Sequence, residues 1–264
     1  MDILKLHSSG ADVVILQEAL IAAGFSPGSV DGSFGPGTEA AVLAFQSSEG
    51  LARDGTAGPG TARALGLTSI PEIPSAISGV NSEIVSHMFP LTPIGNIKTN
   101  LPCVLNALAE ASLQDKLMVL MALSTIRAET ECFLPISEGQ SRFNTSPSGT
   151  PFDLYDHRKD LGNQGPSDGA NYRGRGFVQL TGRLNYTIFS GEIGRDLVED
   201  PQLANDPAIA AKLLAIFLKD RESAIRTALS TNNLARARRL VNGGENGLDR
   251  FQSAFQIGST LVAA

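Results

Sequence analysis

The stretch Ile126-Arg-Ala-Glu-Thr-Glu-Cys-Phe133 closes a long apolar segment, and Tyr172-Arg-Gly-Arg-Gly-Phe-Val-Gln-Leu-Thr-Gly-Arg-Leu-Asn-Tyr186 follows it after a polar loop. Leu117, Leu120 and Met121 have helical spacing and lead directly into the first stretch, which predicts a helix that ends near Glu129. In the second stretch, Gln179 and Thr181 are two positions apart, and Thr181 and Asn185 are four positions apart. That change of period predicts an extended segment that turns into a helix.

The chain on both sides of these stretches also has helical patterns. Before them, Leu101, Leu105 and Leu108 predict a helix that stops at a break around residues 112–115. After them, Asp206 followed by Pro207 is typical of a helix start, and further helices are predicted for residues 218–229, 233–241 and 248–257. No long alternating pattern typical of β-strands occurs, so the predicted fold class is mainly α.

The N-terminal 67 residues contain an internal repeat. The segment Asp31-Gly-Ser-Phe-Gly-Pro-Gly-Thr38 recurs 23 residues later as Asp54-Gly-Thr-Ala-Gly-Pro-Gly-Thr61, with six of eight positions identical. We expect Thr38 to cap the helix that follows it, and Ser9 or Asp12 to cap an earlier helix within residues 8–24. Two copies of one turn that starts a helix predict a compact three-helix bundle.

Residues 68–80 have the composition of a linker, with two prolines, three serines and no lysine or arginine. The predicted organisation is therefore a small domain at residues 1–67, a linker at residues 68–80, and a larger domain at residues 81–264.

Composition excludes several classes of protein. The net charge of −6 and the pI near 5.1 argue against nucleic-acid binding, which requires a basic surface. Two cysteines, Cys103 and Cys132, are too few for a disulfide framework and are expected to be reduced core thiols. The first ten residues lack the pattern of a signal peptide, and no apolar run approaches the ~18 residues of a membrane span. We therefore expect a protein that is made in the cytoplasm and does not insert into membranes. We also expect a monomer.

Two glutamates are candidates for acid and base chemistry. Glu129 follows an apolar helix, and apolar surroundings would raise its pKa towards that of a general acid. A surface glutamate paired with Arg127 or Arg175 is an equally good interpretation. Glu138 lies in a polar loop that water reaches, where a carboxylate stays ionised and can act as a base. Two carboxyl groups in contrasting environments are the arrangement used in glycoside hydrolysis.

The second stretch adds uncharged hydrogen-bonding groups. Gln179, Thr181 and Asn185 suit sugar hydroxyls and N-acetyl groups, or a hydroxyl could hold a water molecule beside the base. Alternatively, Arg173 and Arg175 form ion pairs and Gln179 braces a loop.

Residues 31–46 resemble the three-helix peptidoglycan-binding domain, whose signature DGxFGPxTxxAVxxFQ they match. The resemblance implies wall anchoring, with a shallow groove rimmed by Asp31, Phe34, Gly35 and Thr38. The glycines and proline are also needed by the turn itself, and Phe34 could instead belong to the core.

Residues 118–257 resemble the catalytic domain of glycoside hydrolase family 19, the chitinase and lysozyme-like family, in its bacteriophage endolysin form. Ala128-Glu129-Thr130 matches the (H/A)ET motif, a second glutamate follows nine residues later, and Gly174 to Tyr186 match GRGxxQLTxxxNY. The resemblance implies a larger, α-helical, lysozyme-like domain. It also implies Glu129 as proton donor, Glu138 as the base that activates water, and Thr181 as the hydroxyl that positions this water.

The resemblance also implies a set of substrate-binding residues, namely Tyr172, Gln179, Asn185, Asn242 and Arg250, and the last four either bind sugar or hold the carboxylates. The family inverts anomeric configuration, which requires a carboxyl separation of about 6.5–9.5 Å. Where relatives commonly have Gly-Gly, this chain has Glu131-Cys132, which makes Glu131 a rival carboxyl.

The two resemblances together favour a muramidase that cleaves the β-1,4 bond between N-acetylmuramic acid and N-acetylglucosamine in bacterial peptidoglycan. The expected enzyme needs no metal or other cofactor, and waits in the host cytoplasm until the membrane is permeabilised. Chitinase activity is the alternative. A zinc peptidase is disfavoured because His7, His87 and His157 are isolated, and neither a peptidase that uses Cys132 and His157 nor a non-enzymatic binding protein fits as well.

Overall fold

The computed structural model describes residues 3–67, 74–244 and 246–263, and the chain divides into two compact units, Met1–Ile73 and Pro74–Ala264. Both units are built mainly from helices, and the described residues form one two-stranded sheet. The predicted mainly α class is therefore confirmed. Within these described ranges, no helix is both long enough and apolar enough to cross a bilayer.

The small unit is the predicted three-helix bundle. Its helices are α1 (Ala11–Ala22), α2 (Pro36–Ser48) and α3 (Pro59–Ala64). They enclose a core of aliphatic and aromatic side chains: Leu4, Val13, Leu16, Leu20, Phe34, Ala41, Val42, Phe45 and Ala57. The predicted caps are wrong. Gly10 precedes α1, and α2 begins at Pro36, because the fixed φ of proline suits the first helical position.

A glutamine from the preceding helix holds each copy of the repeated turn. Gln17 Nε2 lies 3.1 Å from both Asp31 Oδ1 and Thr38 Oγ1, and Gln17 Oε1 accepts from the backbone N–H of Asp31 and Gly32. Gln46 makes the same set of bonds to the second turn, from Asp54 to Thr61. The sequence repeat therefore corresponds to a repeated set of hydrogen bonds between a glutamine side chain and a turn. In the first copy, the Thr38 hydroxyl accepts one of these bonds and does not face a ligand.

The predicted linker falls partly outside the described residues, which resume at Pro74 after a gap at residues 68–73. Residues 74–80 belong to the larger unit, since Ala76 and Val80 are buried in its core and Ser75 pairs with Asp115 in an isolated β-bridge. The larger unit thus begins earlier than the predicted position 81, because two apolar side chains in this proline- and serine-rich segment find partners in the core.

The larger unit is a helical domain with a short hairpin-like sheet. Its elements in chain order are α4 (Ser82–Met88), α5 (Ile94–Glu110), α6 (Lys116–Glu129), β1 (Ile136–Ser137), α7 (Asp168–Asn171), β2 (Arg175–Gly176), α8 (Arg183–Ile193), α9 (Pro207–Lys219), α10 (Glu222–Ser230), α11 (Leu234–Asn242) and α12 (Leu248–Leu261). The predicted break between α5 and α6 is confirmed, and Asp206 caps α9 by accepting from the N–H groups of Ala208 and Ile209.

Helix α6 lies at the centre of the larger unit. All its residues from Met118 to Ala128 are buried, which explains why most of them are apolar. Helix α12 packs along it at Gly258, where an added Cβ would lie 2.4 Å from Leu120 Cδ2. Cys103 and Cys132 are free thiols and are half-buried, and Cys103 packs against the core of this unit.

The two-stranded sheet positions the second glutamate. β1 pairs antiparallel with β2, with Ile136 opposite Gly176 and Ser137 opposite Arg175. The next residue, Glu138, donates its backbone N–H to the Gly174 carbonyl at 2.7 Å. This pairing joins the segment after α6 to the glycine-rich stretch that precedes α8.

Candidate active site

Glu129 is the last residue of α6 and forms an ion pair with Arg238 of α11. Arg238 Nη1 lies 2.8 Å from Glu129 Oε1, and the two side chains are 1% and 16% exposed. The remaining guanidinium donors bond to the Asn246 carbonyl, from Nε at 3.1 Å and Nη2 at 2.8 Å. The expectation of apolar surroundings is therefore wrong, because α11 places a buried cation against the carboxyl group.

The rival carboxyl, Glu131, is held by the two other arginines of this region. Arg127 and Arg250 each place a guanidinium nitrogen 2.8 Å from one Glu131 oxygen. Hydrogen bonds from Arg127 and then Arg250 keep the pKa of Glu131 below its usual value. Arg250 thus holds a carboxylate, as one of its predicted roles allows, but that carboxylate belongs to Glu131.

The backbone after α6 follows an unusual path. Glu131 and Phe133 have φ values of 52° and 55°, in the left-handed region. Side chains of α5 hold this path, since Asn96 donates to the Cys132 carbonyl at 2.9 Å and Asn100 donates to the Phe133 carbonyl at 3.1 Å. The first glycine of the Gly-Gly that relatives commonly have corresponds to Glu131 and would adopt its φ without strain.

Three donors converge on the carboxylate of Glu138. Oε1 accepts from Asn144 Nδ2 and from the Tyr155 hydroxyl, both at 3.0 Å, and Oε2 accepts from the Gly174 N–H at 3.3 Å. Burial, and then the charge of Glu138, raise the pKa of Tyr155 to about 12. Tyr155 is therefore a hydroxyl donor throughout the physiological pH range. Sequence reasoning missed both Asn144 and Tyr155, which lie in a polar loop without periodicity.

A cavity of about 380 Å³ brings Glu129 together with most of the predicted polar residues. Its lining consists of Glu129, Leu161, Val178, Gln179, Leu180, Thr181, Asn185, Phe217, Val241, Asn242 and Asn246. This volume lies in the range of ligand pockets. A larger depression, lined by residues between Thr187 and Val198, contains none of the predicted site residues.

Gln179 connects this cavity with Glu138. Its amide nitrogen braces the sheet by donating to the carbonyls of Ile136 and Gly176, both at 3.0 Å. A Cβ added at Gly174 would lie 2.9 Å from Gln179 Oε1 and 3.3 Å from Glu138 Oε2. The Gln179 amide oxygen and the Glu138 carboxylate thus flank the same glycine, which leaves no room for a side chain.

Thr181 and the other predicted substrate-binding residues make local contacts. The Thr181 hydroxyl donates to the Gln179 carbonyl at 2.8 Å, and Asn185 Nδ2 donates to the Thr181 carbonyl at 2.7 Å. Asn242 ends α11 and accepts from the Gly244 N–H at 3.0 Å. Tyr172 differs from the prediction, because its ring is buried and packs edge-to-face on Tyr186, which leaves no face for a sugar.

The four residues predicted to bind the wall have different environments. Phe34 and Thr38 are 1% exposed and belong to the interior, so the structure does not place them on a rim. Gly35 is half-buried, and Asp31 is exposed. Hydrogen bonds from Gln17 and from the Ser33 N–H lower the pKa of Asp31, which fixes its carboxylate in the turn.

Comparison with known sequences supports the modular organisation. Residues 9–65 match the family described as "Putative peptidoglycan binding domain". A glycosyl hydrolase family 19 domain-containing protein of Haemophilus influenzae is 34% identical over 96 residues, which are 36% of this chain and 45% of that protein. The N-acetylmuramoyl-L-alanine amidase CwlL of Bacillus licheniformis is 49% identical over 65 residues, 24% of this chain and 18% of that protein. The chain thus spans less than half the length of these relatives.

Two solved structures are also similar to the chain. Chitinase C from Streptomyces griseus HUT6037 has 19% identity and a TM-score of 0.46, with 70% of this chain and 79% of that chain covered. A Burkholderia AP3 phage endolysin has 20% identity and a TM-score of 0.26, with 98% and 100% covered. From the sequence matches, the chain is a modular protein that combines a peptidoglycan-binding domain with a region related to glycosyl hydrolase family 19.

Proposed function

We propose that the protein is a peptidoglycan hydrolase of the muramidase type, whose small unit anchors it to the bacterial wall. One observation carries the proposal. Glu129 and Gln179 line one cavity, and Gln179 and Glu138 flank Gly174, so two glutamates border a single group of polar side chains. Paired carboxyl groups beside a polar cavity are the machinery of glycosidic bond hydrolysis.

The proposed proton donor is Glu129. Arg238 bonds to Oε1, and no residue in the described part of the chain bonds to Oε2. Oε2 is therefore the oxygen that can reach the glycosidic oxygen of a bound glycan. Transfer of its proton would release the leaving sugar as a free hydroxyl.

The proposed base is Glu138. Its three donors fix the carboxylate, and an acceptor-only group of this kind can take a proton from water. The Thr181 hydroxyl lines the cavity and uses its own hydrogen in the bond to Gln179, so its oxygen can accept a hydrogen bond from that water. Attack by water on the face opposite the leaving group inverts the anomeric centre, which requires a carboxyl separation of about 6.5–9.5 Å.

Incubation with purified wall sacculi tests the proposal. A muramidase generates new reducing ends that become muramitol on borohydride reduction, whereas an amidase or peptidase generates new free amines. Glu129→Gln and Glu138→Gln should each lower the rate by about 10²–10⁴-fold, the usual contribution of acid–base catalysis. Glu199→Gln, at an exposed glutamate of the same unit, is the matched control. New amines without reducing ends, or a fully active Glu129→Gln variant, would refute the assignment.

Product stereochemistry and a second polymer complete the test. The first product from a β-linked glycan should be the α-anomer, as seen by proton NMR before mutarotation. Hydrolysis of chitin faster than that of sacculi would replace the proposed substrate with the alternative one.

A further inference from the structure

Phe143 has an unusual environment among the aromatic residues of the chain. Its side chain is 73% exposed, whereas the other Phe and Tyr side chains in the described ranges are buried or half-buried. The sequence contains no tryptophan. Phe143 is therefore the one exposed aromatic side chain in the described structure. The position of its ring determines which ligands it can contact.

That position is beside Glu138. The next residue, Asn144, is completely buried and donates to Glu138 Oε1 at 3.0 Å and to the Gly139 carbonyl at 2.9 Å. Its own Oδ1 accepts from the Ser141 N–H at 2.8 Å. The turn that carries Phe143 is thus tied directly to the proposed base through Asn144.

Arg142 adds a positive charge to this ring. Its guanidinium carbon lies 4.9 Å from the Phe143 ring centroid, and within the described residues it has no carboxylate partner. Arg158 and Arg183, by contrast, are paired with Asp160 and Asp168. A guanidinium stacked on a ring keeps its in-plane N–H donors available, and these match the geometry of a carboxylate.

A cation stacked on an exposed ring suits a ligand that has both an apolar face and a carboxylate. Peptidoglycan provides both, since its sugars carry acidic stem peptides, whereas chitin is uncharged. We propose that Arg142 and Phe143 form a substrate subsite beside Glu138. Phe143 packs against the face of a sugar ring, and Arg142 pairs with a stem-peptide carboxylate. This subsite rests on the proposed function and selects glycan whose stem peptides carry free carboxylates.

Two substrates separate the roles of the two residues. One is peptide-bearing glycan, and the other is the same glycan after its stem-peptide carboxylates have been converted to neutral amides with carbodiimide and ammonia. Arg142→Gln should lower kcat/KM about tenfold on the first, the value of one charge-assisted hydrogen bond, and leave the second within about twofold. Phe143→Ala should lower both by similar factors, because the two substrates present the same sugar ring face. Higher ionic strength should weaken the preference of the unmodified protein and leave that of Arg142→Gln unchanged.

Arg236→Gln is the matched control. Arg236 is exposed and lies two residues before Arg238 on α11, so it points away from the site. It should behave as the unmodified protein on both substrates. If Arg142→Gln lowers both substrates equally, or neither, the subsite is refuted while the proposed function stands. If the unmodified protein produces no reducing ends from either substrate, the proposed function fails, and the subsite fails with it.

Discussion

Replacing Arg238 tests whether the ion pair to Glu129 holds the larger unit together. Arg238→Met keeps most of the side-chain volume but removes the cation, so the Glu129 carboxylate and the Asn246 carbonyl lose their partner. Breaking a buried ion pair by removing one partner costs about 3–5 kcal/mol. Glu129 is 16% exposed and lines the cavity, where water can solvate it in part, so we expect the low end, about 3 kcal/mol.

Tyrosine fluorescence during urea unfolding measures this change in the larger unit alone. The chain has three tyrosines and no tryptophan, and all three tyrosines lie in the unit Pro74–Ala264. The signal is therefore independent of the small unit, whose own transition would otherwise invalidate a two-state treatment.

A double-mutant cycle isolates the pair from the other effects of each substitution. Glu129→Gln alone should cost about 2–3 kcal/mol, because the amide oxygen still accepts from Arg238 but leaves this cation, which is 1% exposed, without a counter-charge. The double variant should be more stable than the sum predicts, with a coupling energy of about 1–2 kcal/mol. Arg236→Met, on the exposed face of the same helix, should stay within about 0.5 kcal/mol of the unmodified protein. Additive losses would refute the ion pair as a source of stability.

Three further outcomes are expected. Gln46→Ala removes the hydrogen bonds that hold the second turn, so it should abolish binding to sacculi in a pull-down. The unfolding transition detected by tyrosine fluorescence should stay unchanged, because the tyrosines lie in the larger unit. Unchanged binding to sacculi would contradict a role of this turn in wall binding. The hydrogen bonds from Arg183 lower the pKa of Asp168 from 3.8, so the stability from this pair is present above that pH and lost as pH falls through the lower folded value. The urea midpoint should therefore fall less steeply on acidification in Asp168→Asn, and an unchanged slope would count against the pair. Glu131→Gly should be more stable than Glu131→Ala by about 1 kcal/mol, because both lose the ion pairs but only glycine relieves the left-handed φ of 52°; equal urea midpoints would exclude strain there.

Local signals in the sequence predicted much of the fold. The Asp206-Pro207 cap, the break between α5 and α6, and the helix that ends at Glu129 are each determined within a few residues, and the structure confirms them. The start of α2 was mispredicted because Thr38, a good capping residue in isolation, is used by Gln17 from another helix. Helix-capping propensity is a property of the residue type, whereas the tertiary structure determines which hydrogen-bond partners that residue has.

Some residues that line the cavity could be predicted from the sequence, whereas the charges around Glu129 could not. The motif residues Gln179, Thr181 and Asn185 do gather around Glu129. The partner of Glu129, however, lies 109 positions away in the sequence, and no pattern near either residue indicates their pairing. The apolar neighbours of Glu129 along α6 describe only its own helix, while the facing helix supplies the charge.

The supports of the two glutamates come from different parts of the chain. The segment between β1 and β2 contains all three residues that donate to Glu138, namely Asn144, Tyr155 and Gly174. The partner of Glu129, by contrast, is Arg238 on α11. Changes to the segment between β1 and β2, in evolution or by loop grafting, would therefore alter the surroundings of the Glu138 carboxylate and leave the ion pair of Glu129 intact. A preference for a different polysaccharide can in this way arise from changes around one glutamate while the surroundings of the other stay the same.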